Sequence, residues 1–337
     1  MKKERVRKFL IDNPVFVFFF IYFIVAVLFV PNFGTSMNIR NIFIHSSDMI
    51  IISIGMVIVV MNGGIDFSVT SNISLGSVVG ALIMSRQVGV MAESQFGWIV
   101  AIFAMLTIGA IIGIINGFSV VVLKMPSFIV TMVGQLVFGG LALWITMSAT
   151  IIGLPEQFIF IGEGSVLGIP FPVILAMIVL IVAYYVLHKT VFGRYLFAIG
   201  TSHKTSRISG VPVKKTIFTT FIICGVLGAL GGIVMTARIG AGMPGLGRPI
   251  FLDVVAAIVI GGTSIMGGKG NVPGAAMGAI FIVVLNNSLS HLGIPWYVQN
   301  ICKGMLVLAA SMIDVYSKND KLFTFTKQLF RRNPASR

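Results

Sequence analysis

The chain has 337 residues, of which 57% are hydrophobic and 10% are charged, and its mean hydropathy is +1.02. Soluble domains carry about 25% charged residues, so this composition excludes a soluble globular protein and predicts an integral membrane protein. An excess of 24 Lys and Arg over 10 Asp and Glu could suit a nucleic-acid-binding protein. Most of these cations, however, fall in segments on one predicted side of the membrane, which is the positive-inside pattern and requires no nucleic-acid partner.

Ten apolar segments follow one another along the chain, and each is a candidate membrane span because a span needs about 20 apolar residues. They cover 14–31, 49–62, 68–84, 97–123, 127–149, 171–187, 216–237, 251–266, 273–291 and 295–316. The shortest, 49–62, is marginal and suggests a half-helix. Eight spans remain an alternative if two short segments are re-entrant. The predicted fold is an all-α polytopic transmembrane bundle that forms a single transmembrane domain over 1–337, with its spans within 14–316.

The basic residues near the N-terminus precede an apolar run, as in a signal peptide, but no A-x-A-like cleavage site follows. We therefore predict a retained first helix with a cytoplasmic N-terminus. An even number of spans then places two further basic segments, the loop 188–215 and the tail 317–337, in the cytoplasm as well.

Two glycine-rich stretches interrupt the apolar pattern, at 63–68 (Gly-Gly-Ile-Asp-Phe-Ser) and at 261–270 (Gly-Gly-Thr-Ser-Ile-Met-Gly-Gly-Lys-Gly). Irregular backbone at membrane depth is tolerated only where protein or a water-filled cavity surrounds it, and broken helices commonly lie along a transport path. The sequence thus predicts a transporter component with its path near these interrupted helices. Four glycines recur at an offset of 198 residues, which suggests a weak internal two-fold repeat: Gly63 and Gly261, Gly64 and Gly262, Gly76 and Gly274, Gly80 and Gly278.

Polar residues at or within the spans are the candidate site. Asp66 and Asp253 are costly to place in a membrane and commonly face a cavity or a partner, although each could equally be a helix-start carboxylate that accepts backbone N–H groups. The amides Asn286 and Asn287 could face the path or could bond between helices. The predicted pathway residues are Gly63, Gly64, Asp66, Ser68, Asp253, Gly262, Thr263, Ser264, Asn286 and Asn287.

No pattern predicts chemistry within the chain itself. The segment 263–270 does not fit the G-x-x-x-x-G-K-[ST] phosphate-binding loop. Thr263 occupies the position of the motif's first glycine, and Gly270 follows Lys269 where the motif requires Ser or Thr. The four histidines have no metal-ligand spacing, and Cys224 and Cys302 suit packing positions. We expect no catalytic residue, no metal and no cofactor in this chain.

The basic loop 188–215 holds one further candidate. Residues 203–210 could form a short amphipathic helix that ends at Gly210, with Pro212 beyond it as a stop signal. The alternative is a solvated loop, or one that faces lipid headgroups.

Four segments together give a resemblance to a known family. They are 63–69 (GGIDFSV), 193–211 (GRY through RISGV), 252–270 (LD through GGTS and GGKG) and 285–289 (LNNSL). The chain resembles the permease subunits of bacterial ABC importers of the ribose/autoinducer-2 type. Two differences from the usual pattern stand out: Phe67 replaces a leucine, and Phe251 replaces a glutamate near the predicted outer mouth. A third is Thr70 in place of a glycine.

The resemblance implies an importer subunit of the bacterial cytoplasmic membrane, with both termini cytoplasmic. It implies a second permease copy or paralogue, two ATP-binding cassette ATPase subunits, an extracytoplasmic solute-binding protein and membrane lipid as partners. It also implies that Ser202, Arg207 and Gly210 lie in the segment that couples to the ATPase.

The resulting hypothesis is import of a monosaccharide, or a similar small polar solute, by alternating access. Same-family importers of autoinducer-2, nucleosides or amino acids are alternatives. An ion-coupled secondary transporter is an alternative from another class, although neither Asp66 nor Asp253 is accompanied by the further buried carboxylate or His that a proton relay would need.

Overall fold

The helices carry nearly the whole architecture of the computed structural model, which describes residues 14–318. In chain order they are α1 (Pro14–Phe29), α2 (Ser36–Met61), α3 (Val69–Met84), α4 (Gly97–Val121), α5 (Ser127–Thr146), α6 (Glu156–Glu163), α7 (Phe171–Lys189), α8 (Val191–Thr201), α9 (His203–Ile208), α10 (Val213–Ile239), α11 (Ile250–Ile260), α12 (Val272–His291) and α13 (Trp296–Lys318). A two-residue antiparallel hairpin, β1 (Ser165–Val166) and β2 (Ile169–Pro170), separates α6 from α7.

Six helices in the described part of the chain are long and apolar enough to cross a membrane, namely α2, α4, α5, α7, α10 and α12. The apolar helices α3 and α11 are shorter, as is the apolar part of α1. Every predicted apolar segment therefore contains a helix, and the all-α polytopic class is confirmed. A count of ten full crossings is not confirmed, since several of these helices are too short to cross alone.

The prediction of a half-helix at 49–62 is wrong, because α2 begins at Ser36 and runs for 26 residues. Its first half contains Arg40, His45 and Asp48, which interrupt the apolar run in the sequence. These residues lie inside the helix, whose start is capped by the side chain of Thr35, which accepts a hydrogen bond from the backbone amide of Asn38. Asp48 is then buried where tertiary partners are available.

The long helix α10 packs against α2, α3 and α4 and so occupies the centre of the bundle. Its approach to α4 depends on glycine. A Cβ atom on Gly109 would overlap the carbonyl oxygen of Gly225, and one on Gly113 would lie 2.5 Å from the carbonyl oxygen of Phe221. The glycines spaced four residues apart therefore act as packing positions that let two backbones meet.

The predicted basic loop is largely helical, because α8 and α9 fill most of 188–215. The helix expected at 203–210 is present as His203–Ile208, and Ser202 caps it by accepting a hydrogen bond from the backbone of Thr205. Gly210 follows with a φ of +80°, a left-handed conformation that suits glycine. The basic N-terminal segment 1–13 and most of the predicted tail 317–337 lie outside the described residues.

The antiparallel course of the helices gives the bundle two ends that matter for function. The start of α2, the end of α10, the start of α11 and the end of α12 lie together at one end, called here the cavity end. The end of α2 meets the segment between α11 and α12 at the opposite end, called here the break end, and α8 joins them there.

Candidate functional site: two helix breaks and a polar cavity

The first break begins where α2 ends at Met61. Asn62 is the C-cap, and Gly63 adopts a φ of +85°. The backbone amides of Gly63 and Gly64 donate hydrogen bonds to the carbonyl oxygens of Val60 and Val59, at 2.9 and 3.2 Å. These bonds satisfy carbonyl groups that the end of a helix leaves without intrahelical partners. The chain can therefore leave the helix without a buried unsatisfied backbone.

Asp66 lies beyond this turn and is 1% exposed. Its Oδ1 atom accepts hydrogen bonds from the backbone amide and the hydroxyl of Ser68, at 2.9 and 2.6 Å. Asn116 in α4 donates in turn to the Ser68 hydroxyl oxygen at 2.7 Å. The arrangement matches the helix-start alternative for Asp66, because the carboxylate accepts a backbone N–H just ahead of α3. Both Asp66 and Ser68 are thus held in a buried hydrogen-bond network.

The second break has the same geometry as the first. Gly261 is the C-cap of α11, and Gly262 adopts a φ of +84°. The amides of Gly262 and Thr263 bond to the carbonyl oxygens of Val259 and Ile258, both at 2.9 Å. Gly262 and Thr263 thus make the same hydrogen bonds to their helix end as Gly63 and Gly64 make to theirs.

The structural equivalence therefore pairs Gly63 with Gly262, an offset of 199 residues, where the sequence pattern paired Gly64 with Gly262 at 198. The likeness covers the two helix ends. The four-glycine register and a two-fold repeat of the whole chain are not confirmed.

The two breaks contact each other directly. The backbone amide of Gly268 donates a hydrogen bond to the carbonyl oxygen of Met61 at 3.0 Å, and a Cβ atom on Gly267 would lie 2.9 Å from the amide nitrogen of Gly63. Ser264 lies in the same turn, where its amide bonds to the carbonyl oxygen of Lys269 at 3.0 Å. The two glycine-rich stretches, which are about 200 residues apart in sequence, thus form one junction.

The predicted coupling segment contacts this junction. A Cβ atom on Gly200, near the end of α8, would overlap both the Met61 carbonyl oxygen and the Gly268 amide. His203, the first residue of α9, places its Nε2 atom 3.2 Å from the carbonyl oxygen of Asn62. Arg207 and Gly210 are exposed beyond these contacts. A displacement of α8 and α9 would therefore act on both breaks at once.

The remaining predicted pathway residues lie at the cavity end. Asp253, in the first turn of α11, accepts a hydrogen bond from the Asn286 side chain at 3.0 Å. Its other carboxylate oxygen lies 2.6 Å from Lys303 Nζ, in an ion pair between α11 and α13. Asn287 faces another direction and exchanges two amide hydrogen bonds with Asn38, at 2.9 and 2.8 Å. The adjacent amides thus serve different helix neighbours.

A second ion pair at this end was missed in the sequence. Arg238 near the end of α10 donates to Asp48 Oδ2 at 2.9 Å, and its guanidinium also lies 3.0 Å from His45 Nδ1. The apolar pattern does not indicate Asp48, because the predicted span begins one residue after it. Its charge within an otherwise apolar helix was the available signal, since such residues usually mark a cavity or an ion pair.

Asp253, Asn286, Asn287 and the pair of Asp48 and Arg238 line one cavity of about 300 Å³. Asp66, Ser68, Gly262, Thr263 and Ser264 lie away from it, toward the break end. The predicted pathway residues therefore divide into two groups at different depths. Among the described residues, no three His, Cys, Asp or Glu side chains are grouped so as to hold a metal ion.

The two main departures from the family pattern contact each other. The rings of Phe67 and Phe251 stack with centroids 4.2 Å apart and an interplanar angle of 21°, and Phe128 meets Phe67 edge-on at 5.5 Å. Residue 251 is thus bound into an aromatic cluster that joins the first break to α11.

Comparisons with known proteins agree on the family. The model described as "Branched-chain amino acid transport system / permease component" matches residues 38–311. The ribose import permease protein RbsC of Escherichia coli strain K12 is 37% identical over 288 residues, which cover 84% of this chain and 87% of that protein.

RbsC of Bacillus subtilis strain 168 is 36% identical over 297 residues, with 88% and 90% covered. The D-allose transport system permease protein AlsC of E. coli K12 is 33% identical over 300 residues, with the same coverage. No solved structure matches. The broken helices, the apolar bundle and these similarities over most of the chain lead to one conclusion: the protein belongs to the family of transport-system permease components.

Proposed function

We propose that this chain is the membrane permease subunit of an ATP-driven importer of a monosaccharide. The similarity to permeases named for ribose and D-allose, which extends over at least 84% of this chain, is the observation that carries the proposal. The family model is described by amino acid transport, but these individual relatives are named for sugars. A sugar is therefore the favoured solute.

The contact between the coupling segment and the breaks supports an alternating-access mechanism. In this proposal, ATPase subunits dock on the exposed face of α9, around Arg207. ATP binding and hydrolysis displace α8 and α9, and the contacts of Gly200 and His203 transmit the movement to both breaks. Because packed interfaces switch between discrete arrangements rather than deform continuously, a small displacement can rearrange the junction.

The remaining parts of the proposal come from the family resemblance. A second permease copy or a paralogue completes the membrane pore, and an extracytoplasmic binding protein delivers the solute. The complex lies in the bacterial cytoplasmic membrane, with the break end and both chain termini facing the cytoplasm. The chain performs no covalent chemistry and takes no cofactor of its own.

Uptake into proteoliposomes tests this function. The permease is reconstituted with its ATPase subunits and solute-binding protein, and accumulation of radiolabelled D-ribose, D-allose, D-xylose and L-leucine is measured with and without ATP. We expect ATP-dependent accumulation of at least one sugar and none of leucine. Accumulation of leucine alone would refute the sugar assignment, and uptake driven by an ion gradient without ATP would favour a secondary transporter.

A further inference from the structure

The cavity at the outer end of the proposed path holds two ion pairs and has a volume of about 300 Å³. Binding sites for small molecules range from about 300 to 1,000 Å³ and combine apolar walls with a few well-placed polar groups. This cavity is at the small end of that range. Met49, Ile52 and Val283 supply apolar wall, and Asp48, Arg238 and Asn286 supply polar groups. Its size suits a solute of a few polar groups.

The charges in the wall are balanced locally. Asp48 pairs with Arg238 at 2.9 Å, and Asp253 pairs with Lys303 at 2.6 Å. A charged solute would have to compete with one of these pairs for its partner, and separating a largely buried ion pair is costly. A zwitterion such as an amino acid would have to open at least one pair to engage its two partners. A neutral solute leaves each pair intact, so the wall favours neutral ligands.

Three polar atoms in this wall are buried without a hydrogen-bond partner in the described part of the chain; Asp253 Oδ1 has the Lys303 ion pair, which leaves two. They are Oδ1 of Asn286, an acceptor, and Nε of Arg238, a donor. Buried polar groups are normally satisfied, and leaving one unpaired costs free energy. Both atoms have almost no accessible surface, so the two side chains must rotate toward the cavity to meet a solute. A hydroxyl group can then donate to the first atom and accept from the second, because it carries both functions. The wall therefore offers complementary contacts to a polyhydroxylated molecule.

The cavity has an accessible rim. His45 and Ser290 are exposed, whereas Asp48 is buried below them. A solute can therefore enter from the cavity end and meet the polar groups deeper in. We propose that this cavity is a binding site for a neutral polyhydroxylated solute, with Asn286 and Arg238 as its recognition residues. The proposal rests on the proposed function, since it assigns a site to the sugar on the outer side of the permease.

Protection from thiol labelling tests the site without the binding protein, whose own affinity would mask it. Ser290→Cys is placed at the rim in a Cys302→Ser background, and the permease with its ATPase subunits is reconstituted in lipid. The rate of labelling by a maleimide is followed as D-ribose, D-allose or D-xylose is added, with L-leucine as the zwitterionic comparison. We expect at least one sugar to slow labelling in a saturable manner, and leucine not to.

Asn286→Leu is then introduced beside a matched control, Gln135→Leu, which removes a half-buried amide in α5 away from the cavity. The loss of one hydrogen bond should raise the half-protecting sugar concentration about three- to tenfold in the first variant. The control should match the parent protein.

The proposal would be overturned if no sugar protected the cysteine, or if L-leucine protected it as well as a sugar does. An equal half-protecting sugar concentration in Asn286→Leu and Gln135→Leu would also overturn it. These outcomes are distinct from failure of the proposed function, because proteoliposomes with the binding protein would still accumulate sugar if only the cavity assignment were wrong.

Discussion

The carbonyl oxygen of Met61 accepts a hydrogen bond from the backbone amide of Gly268 at 3.0 Å, and this bond joins the two helix breaks. Gly200 of α8 packs against both atoms so closely that a Cβ atom would overlap them. The proposed coupling segment, the end of α2 and the segment after α11 therefore meet at a single point. Any movement of one must be accommodated by the other two, because close-packed interiors have little free space.

The substitution Gly200→Ala tests this junction. The added methyl group should separate Met61 from Gly268 at a cost of about 1–3 kcal/mol. Because coupling is proposed to require the intact junction, ATP-driven uptake should fall about 5- to 150-fold. The control is Gly140→Ala, since no atom lies within 4 Å of a Cβ atom there. Uptake is normalised to folded protein measured by size exclusion. Equal uptake by both variants would show that the junction does not transmit coupling.

Proline at residue 210 tests the coupling segment. Gly210 has a φ of +80°, and proline is restricted to about −65°, so Gly210→Pro should distort the end of α9. We expect ATP hydrolysis and sugar uptake to become uncoupled while membrane insertion persists. Gly168→Pro is the matched control, because Gly168 has a φ of +81° but lies in the hairpin before α7. Normal uptake and ATPase stimulation by Gly210→Pro would leave α9 as a solvated surface helix.

Membrane sidedness is tested with two exposed residues. Leu167 in the hairpin is 98% exposed and Ile208 in α9 is 79% exposed. In a Cys302→Ser background, Leu167→Cys should react with an impermeant thiol reagent in intact spheroplasts. Ile208→Cys should react only after the membrane is opened. Labelling of both cysteines in intact spheroplasts would contradict the proposed orientation of the break end.

The ion pair of Lys303 and Asp253 should contribute to stability because each charge compensates the other in a largely buried site. Lys303→Met leaves a carboxylate in a largely buried site without its cation, which should lower the free energy of unfolding by about 3 kcal/mol. Lys303→Met combined with Asp253→Asn should recover most of this loss, because no unpaired charge remains. Thermal denaturation in detergent measures both. A double variant less stable than Lys303→Met alone would contradict the compensation argument.

The stacked rings of Phe67 and Phe251 should be energetically coupled. Phe67→Leu and Phe251→Glu introduce, one at a time, the residue types usual in the family. Each single variant should lose the ring stacking. The double variant loses the same stacking only once, so its destabilisation should be smaller than the sum of the two single effects. The resulting coupling energy should be about 0.5–1.5 kcal/mol in a double-mutant cycle measured by thermal denaturation. Additive effects would show that the two rings contribute independently.

Local sequence patterns determined most of the secondary structure and the positions of the breaks. Apolar runs located every predicted helix, because burying a backbone in lipid requires its hydrogen bonds to be satisfied within the segment. The glycines at 63 and 262 marked the helix ends, because the chain there adopts positive φ angles that few other residues tolerate. The pattern of Ser202, Gly210 and Pro212 located α9, because caps and stops act over a few residues.

Only the tertiary structure decided which of these pieces meet. The charge of Asp48 makes the first half of α2 look unlike a membrane helix in the sequence. The cost of burying that charge depends on its partner Arg238, which is 190 residues away. The pairing of Lys303 with Asp253, the contact of Met61 with Gly268 and the cavity beside Asn286 likewise depend on which helices are neighbours. Neighbouring helices are selected by packing over the whole bundle, and no local periodicity encodes that choice.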